Sequence, residues 1–157
     1  WVKINTDASF DPNSSSGEIG VVIRDDMGAV CSGAARWFDN VQDALMAEAL
    51  AAREGLELAV EMGYDRIILE VDCKNLKTLI EDGSGVRSSI GGLCFDITEL
   101  SKMFSDFRIE WVSRGANSVA HYCACTVSAT ERSLFWRDDV PDWLSKLAAI
   151  DCNLIPS

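Results

Sequence analysis

Three acidic residues stand alone beside apolar stretches of the chain. Asp7 lies in VKINTDAS, Glu48 in LMAEALAA and Asp72 in RIILEVDC. Acids that converge at the edge of a packed core are suited to hold a divalent metal, because hard cations such as Mg²⁺ prefer oxygen ligands. A fourth segment, RGANSVAH, offers His121 where a fourth acid could be expected. Whether this histidine completes the site or weakens it is the main question raised by the sequence.

Glu48 stands out within a helix predicted at about residues 42–62. Apolar residues recur there at spacings of three and four, and each helical residue turns by about 100°. The other charged residues fall on the opposite side of the helix: Asp43, Arg53, Glu54, Glu57 and Glu61. Glu48 is therefore predicted to be the only charge on the inward half. The alternative is a glutamate at the edge of the apolar stripe with its carboxylate in water.

Asp72 and Asp7 each have a simpler explanation as well. Asp72 ends the strand RIILEV, where residues of open α/β sheets line a ligand crevice, but it could equally cap the next helix. Asp7 comes late in the first strand and could be a strand-end turn residue. Because all three acids lie at the end or edge of a buried element, their common context favours one shared site.

The elements that position these acids follow in the order βββ, α, β, α, α, β, α. Three strands open the chain, over residues 1–8, EIGVVIRD and AVCSGAAR, and the last two form a hairpin around a tight turn. Two more strands are predicted at RIILEV and FRIEWV, with helices at about 74–82 and 90–104 and at NSVAHYCACTVSA. This order predicts a mixed sheet with helices on its faces. The tail VPDWLSKLAAI is expected to form a last short helix that packs back.

Composition narrows the class of protein. A chain of 157 residues fits one domain with a single core, and no apolar run is long enough to cross a bilayer. The six cysteines form no CxxC pair, which favours reduced thiols in an intracellular protein, nuclear or cytoplasmic, over disulfides or structural zinc. The net charge of −11 is unusual for a nucleic-acid binder. Such a chain avoids nucleic acid, holds cations or borrows basic surface from a neighbouring domain.

The motifs, taken in order, resemble those of ribonuclease H. They are TDAS, a hairpin, AEALAAREGLELA, LEVDCKNLKTLI and WVSRGANSVAH. The likeness covers roughly residues 1–130. The chain is especially similar to the branch found in plant genomes, which is related to the ribonuclease H part of non-LTR retrotransposon polyproteins. This likeness implies a five-stranded mixed sheet, with strands 1–3 antiparallel and helices on both faces. We expect a ribonuclease H-like domain at residues 1–135 and a C-terminal extension at 136–157, excised from a longer polyprotein whose other domains are partners.

The resemblance implies hydrolysis of the RNA strand of an RNA–DNA hybrid, leaving 3′-hydroxyl and 5′-phosphate ends. Asp7, Glu48 and Asp72 match the first three catalytic acids and would hold two Mg²⁺ ions about 4 Å apart. Asp7 would bridge both ions, Asp72 would hold the ion on the nucleophile side, and Glu48 would hold the other. Glu48 could also contact a ribose 2′-hydroxyl, the group that distinguishes RNA from DNA.

At the fourth acidic position the family pattern Asn-x-x-x-Asp reads Asn117 to His121. An imidazole in place of the carboxylate removes one negative charge and suits Mn²⁺ better than Mg²⁺. It can also act as an acid or base near neutral pH. We expect His121 to be catalytic, with a purely structural histidine as the alternative. By the same resemblance, the expected substrate contacts are Asn5, Ser9, Arg114 and Asn117. The alternative function is a catalytically weak or inactive module of this fold that binds nucleic acid or protein.

Overall fold

A computed structural model describes residues 1–154 of the chain as a six-stranded sheet with helices packed on both faces. The strands are β1 (Val2–Asp11), β2 (Ser16–Arg24), β3 (Val30–Phe38), β4 (Arg66–Val71), β5 (Asp106–Trp111) and β6 (Ser133–Trp136). The helices are α1 (Ala44–Glu61), α2 (Lys74–Glu81), α3 (Gly91–Ser101), α4 (Ser118–Ala124) and α5 (Asp142–Leu154). Within the described residues, no helix is both long and apolar enough to cross a membrane.

Sheet topology brings the ends of β1 and β4 together. The strand order is β5-β4-β1-β2-β3-β6, with β4 parallel to both β1 and β5 and the other pairs antiparallel. Asn5 of β1 lies opposite Glu70 of β4. Since the two strands run in the same direction, Asp7 and Asp72, each two residues further along, reach the same edge of the sheet.

The expected count of five strands was one short, although the predicted fold class is confirmed. The additional strand β6 pairs antiparallel with β3, with Ala34 opposite Phe135. β6 has only four residues and lies between charged segments, so its pattern is too short to be recognised as a strand. The boundary predicted after residue 135 falls inside β6, and the division into two regions stays a prediction. Residues 155–157 of the predicted extension lie outside the described part of the chain.

Alternating side chains of β2 supply two cores, one on each face of the sheet. Val21 packs in the cluster that contains Leu56 of α1, whereas the next residue, Val22, packs with Val119 of α4. Leu144 of α5 is fully buried in this second cluster, so the last helix packs back as expected. The two faces therefore hold α1 and α4 on opposite sides of β1 and β2.

The close approach of α4 to β2 depends on Gly20. A Cβ atom at this position would lie 2.0 Å from the backbone oxygen of Ala120 and 2.6 Å from the backbone nitrogen of Ala124. These distances are far below contact, so only glycine lets the helix backbone sit directly on the strand. The register of Asp7 opposite Gly20 places this contact beside the first candidate acid.

The prediction that Glu48 is the only inward charge of α1 was wrong. Glu54 is also buried, at 5% exposure, and accepts a hydrogen bond from the Arg36 guanidinium of β3. The helical wheel placed Glu54 opposite the apolar stripe, but α1 is covered over a wide arc by the sheet and by α3. A buried carboxylate at this position is tolerated because Arg36 neutralises it.

Candidate metal centre

The three candidate acids converge in the folded chain. β1 carries Asp7, α1 carries Glu48, and Asp72 directly follows β4. Each offers a carboxylate oxygen, and these oxygens all lie within 4.8 Å of one another. Among residues 1–151, whose side chains are described, this is the only group of three or more acidic, histidine or cysteine ligands at such spacing. One cation could therefore contact all three side chains.

The simpler explanations for the individual acids do not hold. β1 continues to Asp11, so Asp7 lies within the strand rather than in a turn. Cys73, not Asp72, is the residue that precedes the first turn of α2. The Oε2 atom of Glu48 is buried, so this carboxylate is not simply in water. All three side chains are placed where a shared site requires them.

Unpaired buried oxygens indicate what this cluster lacks. Glu48 Oε2 and Asp72 Oδ2 are buried and accept no hydrogen bond from the described residues. A buried carboxylate oxygen without a partner is costly, and the neighbouring acids add mutual repulsion. A divalent cation would remove both penalties, and an all-oxygen donor set is the one that Mg²⁺ and Mn²⁺ accept. The residues present therefore fit a hard divalent metal.

Electrostatics shifts the protonation of the two inner acids. Burial raises the pKa of Glu48 to about 9, assisted by the negative charges of Asp72 and Asp7. Burial also raises the pKa of Asp7, and the charge of Asp72 adds to this shift. A hydrogen bond from His121 acts in the opposite direction on the Asp7 pKa. Without a cation, Glu48 therefore holds a proton at neutral pH, and a bound metal would displace it.

His121 contacts the cluster through Asp7 alone. Its Nδ1 atom lies 3.0 Å from Asp7 Oδ2, and its side chain is 56% exposed. The first turns of α4 place it there, with Asn117 anchoring the start of the helix through a hydrogen bond to the Thr6 carbonyl. The imidazole is thus in direct contact with a candidate ligand while its other edge faces outward. Its catalytic role stays a prediction.

The four expected substrate contacts occupy two kinds of environment. Asn5 and Asn117 are buried, and the Asn5 amide donates to Glu70 Oε1 at 2.9 Å. Ser9 and Arg114 are exposed, and the positive charge of Arg114 partly opposes the rise of the Glu48 pKa. Ser9 and Arg114 therefore have the accessible positions, and Asn5 and Asn117 support the strands and the helix beside the acids. Substrate contact stays a prediction for all four.

Trp111 is a site neighbour that sequence reasoning missed. Its indole Nε1 donates to the backbone oxygen of Asp72 at 3.2 Å, and Lys74 Nζ lies 4.5 Å from the centre of its ring. The parallel register of Val71 opposite Trp111 brings it there. No sequence pattern marked Trp111, because its place beside Asp72 follows from the pairing of β4 with β5. Trp111 holds the backbone of a candidate ligand in place.

The fold and the acid cluster together define a ribonuclease H-like domain. The sequence matches the reverse transcriptase-like family over residues 5–127, and the chain belongs to this family of ribonuclease H-like domains. A protein of Arabidopsis thaliana that carries a provisional ribonuclease H name is 33% identical over 155 residues. That match covers 96% of this chain but 24% of the relative, so the chain spans about a quarter of the relative's length. The predicted family is confirmed.

Solved structures share the same fold at lower identity. The N-terminal RNase H domain of Rv2228c from Mycobacterium tuberculosis matches with a TM-score of 0.72 and 21% identity, over 80% of this chain and 91% of that one. RNase H1 from Halobacterium salinarum matches with a TM-score of 0.69 and 21% identity, over 78% and 92%. LC11-RNase H1, solved in complex with an RNA/DNA hybrid, matches with a TM-score of 0.69 and 18% identity, over 78% and 93%.

Proposed function

We propose that this domain is a metal-dependent endoribonuclease that hydrolyses the RNA strand of RNA–DNA hybrids. The observation that carries the proposal is the convergence of Asp7, Glu48 and Asp72, where two buried oxygens have no hydrogen-bond partner in the described part of the chain. The ribonuclease H name of the plant relative and the hybrid bound by LC11-RNase H1 support the same substrate class. The chain shares the fold of the latter and a sequence family with ribonuclease H-like domains.

Asp7, Glu48 and Asp72 would hold the divalent ions, with Mg²⁺ expected and Mn²⁺ as the alternative. Bound in pairs, such ions activate water and stabilise the leaving oxygen in phosphodiester hydrolysis. Asp7 is central in this arrangement because it faces Asp72, Glu48 and His121. The hydrogen bond from His121 Nδ1 to Asp7 orients the imidazole. Its exposed edge can then exchange a proton with solvent or substrate.

Substrate binding in this proposal depends on few cations around the acids. Arg114 is exposed and close enough to influence Glu48, so it is the strongest candidate for a phosphate contact. Ser9 lies two residues beyond Asp7 on the same face of β1 and could contact the sugar edge. Because the chain carries a net charge of −11, we expect weak and strongly salt-dependent binding by this domain alone. Neighbouring domains of a longer polyprotein would supply further basic surface.

The direct test compares three end-labelled duplexes under the same conditions: an RNA–DNA hybrid, an RNA duplex and a DNA duplex. With Mg²⁺ or Mn²⁺, we expect cuts only in the RNA strand of the hybrid, with 3′-hydroxyl and 5′-phosphate ends. Excess EDTA should abolish the cuts. Equal cleavage of the RNA duplex, or cleavage that persists in EDTA, would contradict the proposed substrate or the role of the acids.

A second candidate function is a catalytically weak or inactive module that binds nucleic acid or protein. The contact of His121 with Asp7 favours it, since Asp7 Oδ2 is occupied by an imidazole where an additional acid would help to hold metal. The variant His121→Asp separates the two candidates. A large gain in Mg²⁺-dependent cleavage would mean that the histidine limits the wild-type enzyme. A loss would mean that His121 takes part in catalysis.

A further inference from the structure

His121 and Cys125 form a pair that the acid cluster does not require. They lie one turn apart on the exposed side of α4 and its last turn, a spacing that brings side chains together. His121 Nε2 lies 3.9 Å from Cys125 Sγ, whereas His121 Nδ1 lies 3.0 Å from Asp7 Oδ2. The two nitrogens of one ring therefore face a carboxylate and a thiol.

The contact with Asp7 prepares Nε2 as a metal ligand. When the Asp7 carboxylate accepts this hydrogen bond, Nδ1 is the donor and Nε2 is left with the lone pair that a metal requires. Histidines that bind metal commonly have their other nitrogen donating to a carboxylate, which fixes the tautomer and the ring orientation. Asp7 supplies that partner for His121.

The distance between nitrogen and sulfur suits a tetrahedral ion. Zn–N bonds of about 2.05 Å and Zn–S bonds of about 2.3 Å at a tetrahedral angle place the two ligand atoms about 3.6 Å apart. The observed 3.9 Å between His121 Nε2 and Cys125 Sγ differs from this by a few tenths of an ångström. A small side-chain rotation, available to two exposed residues, closes the difference.

Glu18 of β2 adds a carboxylate to this surface. Burial raises the pKa of Glu18, and the charge of His121 lowers it. Burial likewise raises the pKa of the Cys125 thiol, and the negative charges of Glu18 and Asp7 raise it further. The charge of Glu18 therefore acts on both side chains and would favour a cation bound between them.

We propose that His121 and Cys125 form a site for a thiophilic divalent cation such as Zn²⁺, separate from the hard-metal site of the three acids, and that the negative charge of Glu18 strengthens binding there. Imidazole and thiolate are the ligands that Zn²⁺ prefers, whereas Mg²⁺ binds oxygen ligands. Binding releases the thiol proton of Cys125 to solvent as the metal–sulfur bond forms. The two sites share Asp7, which contacts His121 directly.

Occupation of this thiophilic site would also inhibit hybrid cleavage, a consequence that rests on the proposed function. The cation would take the exposed nitrogen of His121 and hold the ring against Asp7, so the imidazole could no longer exchange protons. Binding of the cation itself does not depend on any catalytic activity. The two parts can therefore be tested separately.

Co²⁺ is the probe for binding, because a cobalt–thiolate bond gives a charge-transfer absorption in the near ultraviolet that carboxylate ligands do not give. We expect the absorption in the wild-type chain and in Cys31→Ser, a matched control whose thiol lies on β3. It should be lost in Cys125→Ser and titrate at higher Co²⁺ in Glu18→Gln. Zn²⁺ should displace Co²⁺, and a large excess of Mg²⁺ should not. Circular dichroism checks that each variant is folded.

Three results would overturn the thiophilic site. One is absence of the absorption in the wild type with excess Co²⁺, and another is its persistence in folded Cys125→Ser. The third is its loss in Cys73→Ser, because Cys73 lies beside Glu48 and Asp72 and would place the ion at the acid cluster.

In the activity arm, Cys125→Ser should need at least about 10-fold more Zn²⁺ for half inhibition of cleavage. A wild type without any cleavage would contradict the proposed function and leave the absorption result standing.

Discussion

Replacing Glu48 by glutamine should stabilise the metal-free protein at neutral pH. The pKa of Glu48 is raised from 4.5 to about 9, so this side chain is protonated in the folded chain and ionised in the unfolded chain between those values. The folded state then binds the extra proton, and stability falls as pH rises across that window. Asp7, whose pKa is also raised, contributes with the same sign.

The size of the effect follows from about 1.36 kcal/mol per pKa unit. Between about pH 5 and pH 7.5, Glu48 alone would lower the unfolding free energy of the metal-free protein by at most roughly 3 kcal/mol. The repulsion among the three acids is shared, and water can enter the site, so we expect about 1–2 kcal/mol. Glutamine keeps the shape and carries no charge, so Glu48→Gln should lose less than half of this amount.

Urea unfolding in EDTA, followed by circular dichroism at the two pH values, measures the difference. Glu131→Gln is the matched control, because Glu131 is exposed in the segment before β6. It should retain the wild-type pH dependence. Adding Mg²⁺ should reverse the ranking at the higher pH, since a ligand that binds only the folded state stabilises it and the variant binds less. A variant less stable than the wild type at both pH values in EDTA would mean that the buried carboxyl of Glu48 does not destabilise the metal-free protein.

Two further substitutions test how the site is positioned. Gly20→Ala should lower the unfolding free energy by about 1–3 kcal/mol and weaken metal binding, because its Cβ would meet the Ala120 carbonyl at 2.0 Å and push α4 from the sheet. The control is Gly92→Ala, whose Cβ would meet no atom within 4 Å and which should be neutral or stabilising in thermal unfolding. Equal losses in the two variants would mean that the close approach at Gly20 does not position α4. Trp111→Phe should remove the hydrogen bond to the Asp72 carbonyl, lower the unfolding free energy by about 0.5–1.5 kcal/mol and lower the affinity for Mg²⁺. An unchanged Mg²⁺ affinity in calorimetric titration would exclude a positioning role for Trp111.

Local patterns carried most of what could be predicted about the fold. The apolar spacing predicted α1 at about 42–62, and the helix spans Ala44–Glu61, beginning after Asp43, whose side chain accepts from Met46 N. β4 matches its predicted range because a run of β-branched residues before an acid is a strong signal. The expected absence of disulfides agrees with the five cysteines whose side chains are described, and the side chain of Cys152 lies outside the described part.

Features that depend on distant pairing could not be predicted in the same way. β6 forms because β3 offers an open edge, and nothing within SLFW alone indicates that edge. Glu54 is buried because Arg36, 18 positions earlier, reaches it from another strand. α4 ends at Ala124, earlier than its apolar pattern indicated.

In the candidate site, too, local sequence patterns were predictive, whereas contacts between distant residues were not. Spacing and motif order identified Asp7, Glu48 and Asp72, which the structure brings together. The partners of these acids came only from the fold. The contact of His121 with Asp7 depends on how closely α4 approaches β2, which Gly20 permits. No sequence pattern states that distance.

If the three acids hold a catalytic metal, cleavage should depend most on Asp7, which contacts His121 and lies beside the other two acids. The measurement is the initial rate of RNA-strand cleavage in a labelled RNA–DNA hybrid by the wild type and by Asp7→Asn, in Mg²⁺ and in Mn²⁺. We predict cleavage by the wild type and a loss of at least about 100-fold in the variant, which keeps the side-chain shape but loses the charge. Equal rates in the two proteins, or no cleavage by the wild type with either metal, would mean that these acids do not hold a catalytic metal.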